Sequence, residues 1–129
     1  MSQKQRSAVF AFFDGDNVGS TLEILLIEGK LEKAMRLSTR LKETLDGLCQ
    51  LLATRDGVDI LIAGGDDLLI RFDKTLHGIE LLADIRKTYS AGTGLKLSCG
   101  TGASIIESVN NLRLAKLYGK NQIKGPVQW

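Results

Sequence analysis

Three aspartates in two separate stretches of the 129-residue chain carry its clearest chemical signal. Asp14 ends the apolar run AVFAFF, and Asp66-Asp67 complete the turn Gly64-Gly65-Asp66-Asp67. Hard divalent ions take oxygen ligands, usually one or two carboxylates together with waters and substrate phosphates. A single acid rarely suffices, whereas acids arriving from two strand ends can share an ion. Metal held in this way polarises an α-phosphate, helps deprotonate an attacking hydroxyl and stabilises a pyrophosphate leaving group, which leaves little covalent work for side chains. The expected cofactor is Mg²⁺ or Mn²⁺, as two ions, with Asp14, Asp66 and Asp67 as ligands.

The glycines have a role beside the acids. Gly64 and Gly65, and Gly15 next to Asp14, lack side chains, so phosphates can approach the backbone N–H groups closely. Gly-Gly and Asp-Gly are also common turn dipeptides, and the tetrapeptide alone amounts to a hairpin tip. An ordinary tip has no need of paired acids, since like charges directly opposed cost about 0.2–1 kcal/mol. Asp66 and Asp67 are adjacent, and neighbours in a regular strand point to opposite faces, so one of them is expected to be the stronger metal ligand. Lys116 and Lys120 are four residues apart at the end of the last helical stretch, hence close in space. Lysines there complement a helix dipole in any protein; beside an acidic metal site they are expected to grip a triphosphate.

These residues need a scaffold that brings them together. Ala8 to Phe13 reads as a buried strand cut off by Asp14-Gly15-Asp16-Asn17. Ser20 and Glu23 have capping-box spacing before LEILLIE, and Gly29 closes that short helix. Leu31, Ala34, Leu41, Leu45, Leu48 and Leu52 form one apolar stripe on a longer helix reaching about Ala53, ended by Arg55-Asp56-Gly57. Val58 to Ala63 and Leu68 to Phe72 are strands of a hairpin whose tip is GGDD, with the glycines at positive φ. A helix is expected from about Thr75 to Tyr89, a break at Ser90 to Gly94, and a strand in which Leu95, Leu97, Cys99 and Thr101 alternate. Ser104 and Glu107 cap a last helix that runs to about Tyr118, with Gly119 after it. The order β-α-α-β-β-α-β-α predicts an α+β, ferredoxin-like split-βαβ sheet, largely antiparallel, with helices on one face. In such a sheet the first strand lies beside the central hairpin, so Asp14 meets Asp66 and Asp67.

Composition sets the outer bounds. The length suits a single domain over residues 1–129, which buries about two-thirds of the unfolded surface. With 43% hydrophobic and 25% charged residues the balance is that of a globular protein. A net charge of +2 does not by itself point to a nucleic-acid surface. Cys49 and Cys99 match no zinc spacing, and reduced thiols, with no signal peptide or membrane span, lead to an expected cytoplasmic location. Walker A and Rossmann fingerprints are absent from the sequence.

In this order, the motifs AFFDGDN, IAGGDDLLI and AKLYGKN resemble the catalytic domains of GGDEF diguanylate cyclases and the palm of the large polymerase subunit of type III CRISPR complexes, and most of all the stand-alone minimal CRISPR polymerase family. The resemblance implies a palm fold that joins nucleoside triphosphates, chiefly ATP, into cyclic di- or oligonucleotides. These are signals in antiviral defence, read by a separate effector protein. It matches Asp14, Asp66 and Asp67 to metal-binding acids, Gly64 and Gly65 to phosphate-side glycines, and Lys116 and Lys120 to a triphosphate-binding pair, with Asn17 or its neighbours at the base. The motif ends Asp67-Leu68 where the diguanylate cyclases have Glu-Phe, which weakens the case for guanine. One palm offers one triphosphate site, while ring closure needs two nucleotides that attack each other's phosphates, so a homodimer with facing sites is expected.

A diguanylate cyclase using GTP is the rival enzyme. A nucleotide sensor without turnover is the rival from another class, and the three acids weigh against it. No template nucleic acid is expected, for want of a basic second domain. His77 is read as a surface or cap residue, Cys99 as core filling, and Trp129 as docking a terminal segment or a partner.

Overall fold

The computed structural model describes residues 8–74 and 78–125, so Thr75, His77 and Trp129 lie outside the described residues. Five strands and four helices follow in the order β1 (Ala8–Gly15), α1 (Val18–Ile27), α2 (Leu31–Ala53), β2 (Val58–Gly64), β3 (Asp67–Asp73), α3 (Gly78–Thr93), β4 (Leu97–Gly102), α4 (Ile105–Leu117) and β5 (Ile123–Lys124). They build one mixed sheet in the order β2-β3-β1-β4-β5. β1 runs antiparallel to β3 and β4, and β2 antiparallel to β3. The α+β, ferredoxin-like palm arrangement expected from the element order is therefore present, with β1 at its centre.

Alternation along the strands sorts the residues between two faces. Val9, Ala11 and Phe13 of β1, Leu68, Ile70 and Phe72 of β3, and Leu97 and Cys99 of β4 share a core with Leu41, Leu45, Leu48 and Leu52 of α2 and Leu81, Leu82, Ile85 and Tyr89 of α3. Their neighbours Asp14, Asp67, Ser98 and Gly100 point to the other face. There α4 packs on β4 so closely that a Cβ at Gly100 would meet the backbone N of Leu112 and the backbone O of Ser108. The helices thus cover both faces, where one was expected.

Local departures have local causes. Helix α1 starts at Val18, after Asn17 turns the chain at φ 59°. Ser20 then falls inside the first turn, donating to the Asn17 carbonyl at 3.2 Å, and the Ser20–Glu23 box is not made. The chain is pinned at the buried Asp16, so the helix begins as soon as it leaves that residue. Leu31 of the predicted stripe is exposed, while Leu37 joins the core. Helix α3 runs through the predicted break to Thr93, whose buried hydroxyl donates to the Tyr89 carbonyl at 2.8 Å and accepts from Leu95 N–H at 3.0 Å; Gly94 at φ 75° ends it. At α4, Ser104 does cap, accepting from Glu107 N–H at 3.2 Å. After Gly119 the chain forms β5, unforeseen in the sequence, parallel to β4 with Cys99 opposite Ile123. None of the described helices is long and apolar enough to cross a membrane.

Candidate active site

The site lies at the edge of the sheet where β1 ends and the β2–β3 hairpin turns. Gly64 and Asp67 face each other across a two-residue loop. Gly65 takes φ 61° and Asp66 does not turn positive, the pattern of a II′ turn with glycine first. Only Gly65, not Gly64, uses the left-handed freedom expected of both. Asp67 opens β3 directly opposite Asp14. Gly15 N–H donates to the Asp66 carbonyl at 3.1 Å, which makes Asp14 and Asp67 a non-hydrogen-bonded pair, the kind whose side chains come closest.

Asp66 sits in the turn, free of strand alternation, and its carboxylate joins the other two. One carboxylate oxygen of each of Asp14, Asp66 and Asp67 lies within 4.8 Å of the others, and all three residues are partly buried. Burial, then contact with Asp67, raises the Asp14 carboxyl above its ordinary range against the pull of Lys116. Burial, then the Asp14 charge, raises Asp66. Three partly buried carboxylates, all oxygen donors, fit a divalent cation.

A carboxyl whose pKa is raised in the folded protein favours folding while protonated, and that contribution is lost as pH rises from the unfolded value of 3.8 through the folded one. Asp66→Asn is therefore expected to raise the metal-free Tm at pH 7 by a few degrees and to leave it unchanged below pH 3.5. Parallel melts by circular dichroism at the two pH values check this.

Lys116 is more deeply committed than its place at a helix end suggested. Its Nζ donates to Asp16 Oδ1 at 2.7 Å, to the Gly15 carbonyl at 2.9 Å and to the Asp14 carbonyl at 3.2 Å, and pairs with Asp14 Oδ2 at 3.2 Å. Asp16, only 4% exposed, also accepts from Ser98 Oγ at 2.7 Å and Asn121 N–H at 2.8 Å. Burial would raise its pKa, but bonds from Lys116, Ser98 and Asn121 outweigh this and hold the carboxyl below its ordinary range. Arg86 fastens the same segment, with Nη2 on Asn121 Oδ1 at 3.0 Å. Lys120 and Asn121 adopt positive φ, and Lys120 Nζ bonds the side chain of Asn17 in the open. The two lysines thus meet the acidic loop at different points, Lys116 along Asp14–Asp16 and Lys120 at Asn17.

Sequence reasoning missed Asp16, Ser98 and Tyr89. The DGDN run held the only signal for Asp16, a second acid two residues after Asp14. Tyr89, in α3, is 2% exposed, and its hydroxyl, packed against Gly15, has no hydrogen-bond partner among the described residues. Burial, then the charges of Asp66, Asp14 and Asp16, push its pKa up to about 12.

Beside the acids, between α1, α2 and the hairpin tip, opens a cleft of about 520 Å³. Val18, Leu22, Leu41, Leu45 and Cys49 give it an apolar wall, Ser38, Lys42 and Asp46 a polar one, and Gly64, Gly65 and Asp66 form its end. Ser38, Lys42 and Asp46 recur every fourth residue of α2, as do Leu41, Leu45 and Cys49, so one helix presents both walls. Asn17 does not line the cleft.

The GGDEF domain of DgcB from Caulobacter crescentus, crystallised with c-di-GMP, is similar to this chain with a TM-score of 0.63 at 13% identity, over 92% of this chain and 77% of that one. A chain of the Csm1–Csm4 cassette in complex with AMPPNP gives 0.70 at 21% identity, over 90% of this chain and 20% of that one. The diguanylate cyclase SiaD of Pseudomonas aeruginosa, bound to its activator SiaC, gives 0.68 at 14% identity, over 97% and 52%. These likenesses show a shared fold, and the chain spans about a fifth of the Csm1–Csm4 cassette chain and half of SiaD. No curated protein matches the sequence. Residues 10–125 match the minimal CRISPR polymerase domain, and on that match, which covers most of its length, the chain belongs to the minimal CRISPR polymerase domain family.

Proposed function

We propose that this chain is a metal-dependent nucleotidyltransferase that joins nucleoside triphosphates, ATP by preference, into a cyclic di- or oligonucleotide and releases pyrophosphate. The observation that carries the reading is the meeting of Asp14, Asp66 and Asp67 within 4.8 Å of one another at the end of a cleft of nucleotide size. Those acids would hold Mg²⁺ or Mn²⁺, as two ions, which when bound polarise the α-phosphate and stabilise the departing pyrophosphate.

The chain's own residues divide the remaining work. The base lies in the cleft, its faces against Leu22, Leu41 and Leu45 and its polar edge toward Ser38 and Asp46. Gly64 and Gly65 leave room for phosphates against the backbone. Lys120 exchanges Asn17 for the triphosphate, which brings Asn17 to the phosphate side of the nucleotide. Lys116 keeps its bonds to the Asp14–Asp16 loop and sets the position of Asp14, adding its charge to the phosphate field. A second copy across a two-fold axis presents the second nucleotide, so that each 3′- or 2′-hydroxyl attacks the other's α-phosphate and two pyrophosphates leave.

Adenine nucleotides are favoured because AMPPNP, pppApA and pppApApA are the nucleotides in several of the Csm1–Csm4 cassette structures that share the fold. The product serves as a signal in antiviral defence, read by a separate effector. Incubation with each of the four triphosphates and Mg²⁺ or Mn²⁺, followed by mass spectrometry before and after nuclease digestion, tests the reading. It is upheld by a cyclic adenylate and overturned if no triphosphate is consumed. A cyclic guanylate as sole product would establish the rival cyclase.

A further inference from the structure

The Tyr89 hydroxyl is a buried donor without an acceptor among the described residues, and it sits where the acids converge. The ring belongs to the core between α2, α3 and the sheet, and it carries the oxygen up to the end of β1. The Gly15 Cα lies over it: a Cβ there would strike the Tyr89 hydroxyl and Val18, and would stand 3.4 Å from the Asp66 Cβ. Tyr89 and Asp66 therefore border the same small space from two sides, and the absence of a side chain at Gly15 keeps that space open. A phenylalanine would fill the core equally well without burying a polar atom, and buried hydroxyls in native proteins ordinarily find a partner.

We propose that Tyr89 is a positioning residue for Asp66, its hydroxyl donating to one carboxylate oxygen when Asp66 turns the other toward a bound divalent ion. Metal-ligating carboxylates are ordinarily hydrogen-bonded on the oxygen away from the metal, which fixes their orientation. Asp66 needs such a constraint more than its companions do. Asp14 and Asp67 are held by strand pairing, whereas Asp66 sits in a two-residue turn after a glycine. The open space at Gly15 completes the arrangement, because any side chain there would separate the two groups.

The inference rests on the metal reading above, and the experiment separates the two. Mn²⁺ binding is measured by electron paramagnetic resonance of the free ion for the unsubstituted protein, Tyr89→Phe, Asp66→Asn and the double variant, with thermal melts of each in the absence and presence of Mn²⁺. Tyr89→Phe is expected to weaken Mn²⁺ binding about tenfold while its metal-free Tm stays equal or rises, because the hydroxyl it removes has no partner in that state. In the Asp66→Asn background the same change is expected to have no further effect on binding, since the residue it acts through is gone.

Equal Mn²⁺ affinity in Tyr89→Phe overturns the proposal. So does a fall in metal-free Tm that accompanies the affinity loss, which would mean a purely structural bond, and so does an undiminished effect in the Asp66→Asn background. If the unsubstituted protein binds no Mn²⁺, the metal reading falls and takes this inference with it.

Discussion

Asp14→Ala is expected to abolish product formation, with a drop in turnover of at least about a thousandfold, equivalent to about 4 kcal/mol of transition-state stabilisation. The paired change Asp66→Ala with Asp67→Ala is expected to do the same. All three side chains reach the sheet edge and none belongs to the apolar core, so the far-ultraviolet circular dichroism spectrum should be retained in both variants. Loss of activity with a retained fold identifies the acids as ligands. The effect should exceed that of any single phosphate contact, because a metal pair held there would do what elsewhere requires an acid, a base and an oxyanion hole. Full activity in either variant would sink the mechanism. Asp14 carries a second duty, its pairing with Lys116, and Asp14→Asn separates the two: it keeps the size of the side chain and an oxygen for Lys116, and is expected to be as inactive as Asp14→Ala.

Asp16→Ala is expected to produce the largest loss of stability of any single change near the site. Removing the buried member of an ion pair costs about 3–5 kcal/mol. Here Lys116, Ser98 and the Asn121 N–H all lose an acceptor together. For a chain of this length that corresponds to a fall in Tm of about 10 °C or more, checked by thermal melting.

The pH dependence has a definite sign. Because the folded pKa of Asp16 lies below the unfolded value of 3.8, its contribution is complete above pH 3.8 and is lost as pH falls from there through the folded value. The unsubstituted protein should therefore lose stability below about pH 4 more steeply than Asp16→Ala, which has no such carboxylate left to protonate. Activity should fall as well, since Asp16 holds Lys116 against Asp14 and anchors the turn that carries Lys120. A loss of stability as small as that of an ordinary surface change would show that the network around Asp16 contributes little.

The difference between the two predictions reflects what kinds of information a sequence carries. Asp14, Asp66 and Asp67 were legible because two acidic turns punctuate strongly apolar strands, and because β1 must lie beside the central hairpin in a split-βαβ sheet. Leu41, Leu45, Leu48 and Leu52 were legible for a similar reason, since helical periodicity is written residue by residue. Asp16 was not. Its partners Ser98, Lys116 and Asn121 come from the start of β4, the end of α4 and the turn after it, far along the chain, and a buried acid in a DGDN run looks like any other turn residue. Tyr89 was hidden in the same way: at helical spacing among apolar residues it reads as core, and only the position of its hydroxyl under Gly15 sets it apart.

The cleft beside the acids divides along the same line. The apolar stripe of α2 was plain in the sequence, but whether Ser38, Lys42 and Asp46 look toward solvent or toward the hairpin depends on how α1 and α2 sit over the sheet. Asn17, matched to the base by likeness, lies beside Lys120, because the clasp at Asp16 brings the turn after α4 over that end of β1. The covering of the second sheet face by α4 was likewise beyond the sequence, since it rests on Gly100 admitting a helix backbone that no residue pattern announced. By itself the sequence determined the order of the elements up to α4, the central hairpin and the three acids at its tip and at the end of β1, because alternation, helical period and turn chemistry are local. Only the tertiary structure decided what surrounds those acids: Lys116 drawn in against Asp16, Tyr89 beneath Gly15, and the cleft beside Asp66. Each of these depends on side chains distant in sequence meeting at the sheet edge, where burial and charge act through space and not along the chain.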